Sequence, residues 1–274
     1  MTRVAHVCRH AASARGSALI MVVFALLVVA VITGSLITQT RTDLILSRTL
    51  ELAVESELSA EGGIAAAILD LSDPNNKTPI VADGRSYNVD IDGVHLSLQV
   101  QSENGKINLN QSPNPLLKLL LRSCGGESQA GLLGSAIDDH FAVKDGPPKT
   151  FLTVDELKRL PGASAELIEA IEPYVSVYNF RATPDFALAP ERLKALITEG
   201  HDRPPSDALT SAAGLQSNRS GIFTITASVL DRGAGASIRT IVYVTGDKRE
   251  PYYVFDWRRV TSHESAACGK GQAQ

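Results

Sequence analysis

The spacing of apolar positions changes three times along this chain. From Ser17 to Thr40 no side chain carries a charge, and Leu, Ile, Val, Phe and Ala dominate. That stretch predicts one continuous apolar helix. Past Arg41 the apolar residues thin to Leu46, Leu50, Val54, Leu58, Ala65 and Ile68. Steps of three, four and seven place these on one helical face. Gly62-Gly63 weakens the pattern, and Ser72-Asp73-Pro74-Asn75-Asn76 ends it. A helix from Ser17 to about Leu71 would be on the order of 80 Å long. Its second half needs a sheet to cover the apolar stripe.

The period then shortens to two. Arg85–Ile91 and Val94–Ser102 flank Asp92-Gly93, a strong hairpin signal between alternating runs. Leu96, Leu98 and Val100 point one way; Ser97, Gln99 and Gln101 point the other. Ile107–Asn110 predicts a further short strand. From there to about residue 200 the pattern is helical: Pro115–Arg122, a looser Glu127–Phe141, then Val154–Leu160 opened by the capping box Thr153-Val154-Asp155-Glu156. Pro161-Gly162 makes a turn, and Ser164 caps a helix running through Glu172. Pro190 and Gly200 bracket another. A polar connector spans 201–220. Alternation returns at Phe223, Ile225, Ala227 and Val229. A glycine-rich turn at 231–235 leads into Ala236–Thr245, and Tyr252–Trp257 reads as one more strand.

The predicted fold class is therefore α+β. A long N-terminal helix, part membrane-spanning and part amphipathic, packs on an antiparallel sheet into which an all-α domain is inserted. The predicted divisions are a leader at 1–16, the long helix at 17–71 with its span at 17–37, and a first part of the α/β domain at 72–110. The helical insertion follows at 111–212, then the second part of the α/β domain at 213–259 and a disordered tail at 260–274.

Charge and cysteines narrow the function. Residues 1–16 carry Arg3, Arg9 and Arg15 and no acid. Removing them takes the formal net charge from −4 to −7, a poor match to a phosphate backbone. Ser17–Ile37 is long enough to cross a bilayer core, and the three arginines would hold the N-terminus in the cytoplasm. Everything past residue 40 would then lie outside, which in a bacterium is the oxidising periplasm. There Cys124 and Cys268 are able to form one disulfide, while Cys8 falls in the leader. A secretory signal peptide has its small-residue cleavage site after the apolar stretch. Here Gly16 comes before it, so a cut between Gly16 and Ser17 would leave the helix on the mature protein.

The Arg15-Gly16 junction, the apolar helix and its amphipathic extension resemble the type IV pilins and pseudopilins. Three further pieces resemble the K-type minor pseudopilins of the type II (general) secretion pathway. They are Asn104-Gly105-Lys106-Ile107-Asn108-Leu109-Asn110 before Ser112-Pro113, Phe151–Leu157 running to Leu160-Pro161-Gly162, and Ile171-Glu172-Pro173-Tyr174-Val175-Ser176-Val177-Tyr178. The resemblance covers about residues 15–260, with the pieces in the family's order.

It implies an inner-membrane, single-pass protein with its C-terminal domain in the periplasm. Prepilin peptidase would cut it between Gly16 and Ser17, and it would sit at the tip of a pseudopilus that exports folded proteins. The implied partners are the I and J minor pseudopilins, then the H and major G types, and the inner-membrane secretion platform. The fifth mature residue is Met21, where most pilins carry glutamate. A carboxylate in lipid is costly unless paired, and a tip subunit has no neighbour above to pair it. Ser17 departs from the usual first residue, which leaves its N-methylation open.

The resemblance also implies calcium, which needs six to eight oxygens. No dense acidic loop stands here, so Asp138, Asp139 and Asp145 are expected on the solvated surface and are the weak candidates for a metal. No other cofactor is implied. Two competing readings remain. Thr153–Ile171 is similar to a helix-hairpin-helix, which suggests a membrane-anchored DNA binder or a minor pilin of a type IV pilus or DNA-uptake system. Asp155, Glu156, Glu166, Glu169 and Glu172 outnumber Lys158 and Arg159 there, so nucleic acid is not expected as a partner. His95, His140 and His201 stand in no catalytic motif, so no enzyme activity is expected.

Overall fold

The structure, a computed structural model, describes residues 14–73, 75–76, 78–112, 114–142, 149–199, 221–230 and 236–260. Side chains at 14–18 and 36–42 fall outside that description. The chain divides into two compact units, Met1–Leu52 and Ala53–Gln274.

Helix α1 runs Ala14–Ser72. In the first unit its side chains from Leu19 to Ser35 are exposed on every face. Among the described residues no helix is long and apolar enough to cross a membrane. The predicted span Ser17–Ile37 reaches past both ends of the stretch whose side chains are described.

In the second unit α1 covers one face of a five-stranded antiparallel sheet. The strands are β1 (Asp83–Ile91), β2 (Val94–Ser102), β5 (Gly221–Val229), β6 (Ser237–Val244) and β7 (Tyr252–Arg259), in that spatial order. Asp92 (φ 51°) and Gly93 (φ 78°) close the β1–β2 hairpin, as their sequence requires of a tight primed turn. Leu96, Leu98 and Val100 of β2 stand opposite Val229, Ala227 and Ile225 of β5, and Ala227 and Phe223 of β5 stand opposite Ile238 and Val242 of β6. With Ala60, Ile64, Ala67, Ile68 and Leu71 of α1 they form one buried core.

Of the predicted stripe only Ile68 lies on the covered face of α1. Leu46, Leu50, Val54 and Leu58 are all exposed. The sheet instead takes the face of Ser56, Ala60, Gly63, Ile64, Ala67 and Leu71. Small residues decide this. A Cβ on Gly63 would stand 3.2 Å from Leu96 and 3.6 Å from Ala227, so the glycine permits a close helix–sheet approach.

Strands β2 and β5 are neighbours in the sheet, yet the helical block lies between them in sequence. The block holds β3 (Ile107–Asn108), α2 (Pro115–Phe141), α3 (Ala165–Ile171), β4 (Val175–Ser176) and α4 (Glu191–Glu199). It is not purely helical. β3 pairs in parallel with β4, Ile107 beside Val175 and Asn108 beside Ser176. The short strand predicted at 107–110 thus joins the inserted block and not the sheet.

Helix α2 breaks at Gly126 (φ 75°, ψ 172°). Lys118 Nζ then meets Asp138 Oδ2 at 2.5 Å, whereas a straight helix would hold them about 30 Å apart. The two halves therefore fold back as an antiparallel pair, matching the separate helices predicted at 115–122 and 127–141. Leu117, Leu121, Leu133 and Ile137 from these halves pack with Leu157, Leu167, Ile171 and Leu193 in a second core.

Ser164 Oγ accepts from Leu167 N and caps α3 as predicted. The capping box at Thr153 does not form. Residues Val154–Arg159 wind as a 3-10 turn, the Thr153 side chain makes no cap bond, and Glu156 Oε1 accepts from Leu152 N. The tighter winding of a 3-10 turn moves the first amides out of Thr153's reach. The connector 201–220, the turn 231–235, the tail from 261 and Gly200 lie outside the described residues.

Candidate functional site

Gly16 and Ser17 fall in the first turn of α1, where only the backbone is described. Met21, one turn further, is 74% exposed. Among the described residues of this unit none covers the apolar side chains around it.

The second site is the seam where the inserted block meets the sheet. Two of the three stretches singled out in the sequence build it, and the third, from Phe151 to Leu157, borders it. Asn104-Gly105 forms a turn against the chain at Leu188, so close that a Cβ on Gly105 would stand 2.1 Å from the Leu188 carbonyl oxygen. Gln101 Nε2 donates to that same carbonyl at 2.9 Å. Lys106 Nζ lies 2.5 Å from Glu103 Oε1, and their side chains are only 8% and 3% exposed. Thr224 of β5 donates its hydroxyl to Glu103 at 2.5 Å and accepts from Lys106 at 3.2 Å. The Lys106 carbonyl accepts from Asn179 Nδ2 at 2.6 Å. Asn110 and Phe151 exchange two hydrogen bonds of 2.7 and 3.0 Å.

The other piece supplies the opposite wall. Glu172 accepts from Arg239 Nη1 of β6 at 3.1 Å and also from Arg258 of β7. Tyr178 stacks on Phe255 of β7, with ring centroids 5.5 Å apart. Burial pushes the Tyr178 phenol up, which keeps it neutral. Between these walls opens a cleft of about 420 Å3, lined by Gln101, Glu103, Thr226, Arg239, Asp155 and Arg258 among others. Its charges are already paired. Lys158 hydrogen-bonds Asp155 and holds that carboxyl below its ordinary range. What the arrangement does chemically is fix the block against the sheet. Sequence reasoning missed the burial of Glu103 and Lys106, three residues apart, since such pairs usually lie on a solvated helix face.

Asp138 is taken up within α2. Its Oδ1 accepts from Ser112 Oγ at 2.7 Å and its Oδ2 from Lys118, whose hydrogen bond holds the carboxyl below its ordinary range. Asp139 is exposed beside it, and Asp145 lies outside the described residues. Among the described residues no three His, Cys, Asp or Glu side chains converge where a metal ion would sit.

The Pro161-Gly162 turn lies against the second half of α2. Gly162 adopts φ +83°, and a Cβ there would stand 2.7 Å from Leu132 Cβ and 2.8 Å from Leu133 N. Protein therefore fills that side of the hairpin.

No protein-family model matches the chain, and no curated protein matches it in sequence. A solved structure, the GspK-GspI-GspJ complex of the enterotoxigenic Escherichia coli type 2 secretion system, does match. The TM-score is 0.51 at 11% identity, over 79% of this chain and 99% of that chain. The fold is GspK-like. At that identity the likeness is one of fold alone.

One further surface of this GspK-like fold was not singled out from sequence. The edge strand β7 leaves Tyr252, Tyr253, Val254, Phe255 and Trp257 between 44 and 48% exposed. The opposite edge, β1, is blunted by a bulge between Asp83 and Ser86 and by the Asp83–Arg85 ion pair. The signal for β7 was the aromatic run itself.

Proposed function

We propose that this chain is a minor pseudopilin of a type II secretion system, placed at the tip of the pseudopilus. The observation that carries the reading is the GspK-like fold with the block inserted between β2 and β5. The Gly16–Ser17 junction and the uncharged run from Ser17 to Thr40 support it from the sequence. In this reading prepilin peptidase cuts between Gly16 and Ser17, and the apolar half of α1 stays in the inner membrane with the folded unit in the periplasm. The exposed side chains of α1 then pack against neighbouring subunits in lipid. The partners are the I and J minor pseudopilins, and beyond them the H and G types and the secretion platform. The chain acts by assembly, without catalysis.

The test is intact mass and N-terminal sequence of membrane-extracted protein, with and without the peptidase. A chain starting at Ser17 only when the peptidase is present supports the reading; an uncut chain, or a cut beyond residue 37, overturns it. Replacing Gly16 by a bulky residue should block maturation. Met21→Glu should reduce secretion by misplacing the subunit, and unchanged secretion would count against the tip position.

A further inference from the structure

Among the described residues β7 pairs with β6 alone, so that edge of the sheet is open. Two hydrogen bonds fix which of its main-chain groups face outward. At one end of the ladder Thr245 N donates to the Pro251 carbonyl at 3.0 Å, and at the other Val260 N donates to the Ser237 carbonyl at 2.8 Å. Antiparallel partners alternate between bonded and non-bonded pairs. Counted inward from both ends, Tyr252, Val254, Trp257 and Arg259 turn their N–H and C=O groups away from β6. A bulge at Phe255 absorbs the odd residue between the two halves.

Both faces of this edge are apolar. The register sets Tyr252 and Val254 beside Val244 and Val242 of the core, on the side that α1 covers. Trp257 and Arg259 share that side, and Arg259 binds Glu57 of α1. Phe255 lies on the other side, where it stacks on Tyr178 and lines the cleft. Tyr253, paired with Tyr243, shares that side. A docked helix would cover one of these faces. An added strand covers both and also supplies partners for the outward main chain.

The geometry points to β7 as the docking edge for an extended segment of a neighbouring minor pseudopilin, which adds a sixth strand to the five of the sheet. The identity of that partner rests on the pseudopilin reading. Continuity with the assembly surface of that reading carries the choice. Through the Arg259–Glu57 pair the β7 face adjoins the flank of α1 on which Leu58 and, one turn earlier, Val54 are exposed. Charge describes the segment further. Tyr252 to Phe255 carry no charge, so the segment is apolar opposite them. Lys248 and Arg249, in the turn before β7, are exposed and form no ion pair among the described residues, so the segment carries an acid where it passes that turn.

The experiment is photocrosslinking in membranes that hold the complete secretion system. The probe p-benzoylphenylalanine replaces Val254 in the full chain or, as a reference on α1, Leu50. Adducts of both with a neighbouring pseudopilin are the expected result, the one from position 254 mapping to an extended segment. A pseudopilin adduct from position 50 with none from position 254 overturns the docking edge alone. An adduct from position 254 to a second copy or to an exported protein overturns it equally. No pseudopilin adduct from either position sinks the pseudopilin reading and the docking edge with it. As a second readout, Val254→Pro removes an outward N–H without breaking the ladder to β6, and Val254→Lys puts a charge on the edge. Each should lower co-purification of the neighbour about tenfold at an unchanged melting temperature. Where the proline variant melts early, the lysine variant decides, and co-purification at the wild-type level overturns the proposal.

Discussion

The core of the inserted block and the seam beneath it are held by different physics. In the block, Leu117, Leu133, Leu157, Leu167 and Ile171 are buried together in one apolar cluster. In the seam, Gln101, Glu103, Lys106, Ser176 and Asn179 are buried instead, with Thr224 beside them, and nearly every contact is a directed hydrogen bond. Apolar packing is tolerant of exchange at constant volume. A directed polar contact holds one register and is expensive to leave half made. The block is free to vary inside while the seam fixes how it sits on the sheet.

The largest break in that comparison should come from Lys106→Met, which strands the Glu103 carboxylate in a buried site. We expect a loss of about 3–5 kcal/mol in urea unfolding. The double change Glu103→Leu with Lys106→Met should recover most of it, and a double mutant as unstable as the single one would refute the stranded-charge account. Leu133→Ala in the block core should cost about 2–5 kcal/mol. Hydrogen exchange should then rise throughout α2 and α3 while β2, β5 and β6 keep their protection.

Gly162→Ala should cost about 1–3 kcal/mol, since the new Cβ meets α2 and the backbone there is left-handed. A melting temperature equal to wild type would mean that α2 shifts freely. Acid gives a smaller effect. Asp138 is held below its ordinary value, so its pair with Lys118 contributes above the ordinary aspartate range near 3.9 and is lost as pH falls through the lowered value. With both side chains a third or more exposed, the effect is modest. Asp138→Asn should flatten the acid end of a melting-temperature profile without moving the neutral end. Smallest of all, Arg259→Ala, which removes an exposed pair with Glu57, should leave the melting temperature indistinguishable from wild type.

Sequence legibility follows the same division. The Asp92-Gly93 hairpin, the bend before Glu127, the Ser164 cap and the strand return near Phe223 were legible, because each is a local rule acting on adjacent residues. The covered face of α1 was not. Leu46, Leu50, Val54 and Leu58 form the more apolar stripe, yet the sheet chose the face with Ala60 and Gly63, where the backbones approach most closely. The seam was hidden for a related reason: Lys106 and Thr224 are far apart in sequence, and only the fold brings them together. Of the site residues, Gly16, Ser17 and Met21 were singled out by charge, hydropathy and the family resemblance and await the processing test, whereas Arg239, Arg258 and the β7 aromatics carry meaning only through position.

The insertion between β2 and β5 has a consequence for how the chain folds. Thr224 meets Glu103 from 121 positions further along the chain, and the central pairing of the sheet must wait for that whole length. Until β5 arrives, the β1–β2 hairpin stands with a bare hydrogen-bonding edge and an uncovered row of Leu96, Leu98 and Val100. The inserted block can condense early from nearby contacts, while the sheet closes late and slowly. The folding intermediate that most needs a chaperone is therefore the hairpin made first, waiting for its neighbour.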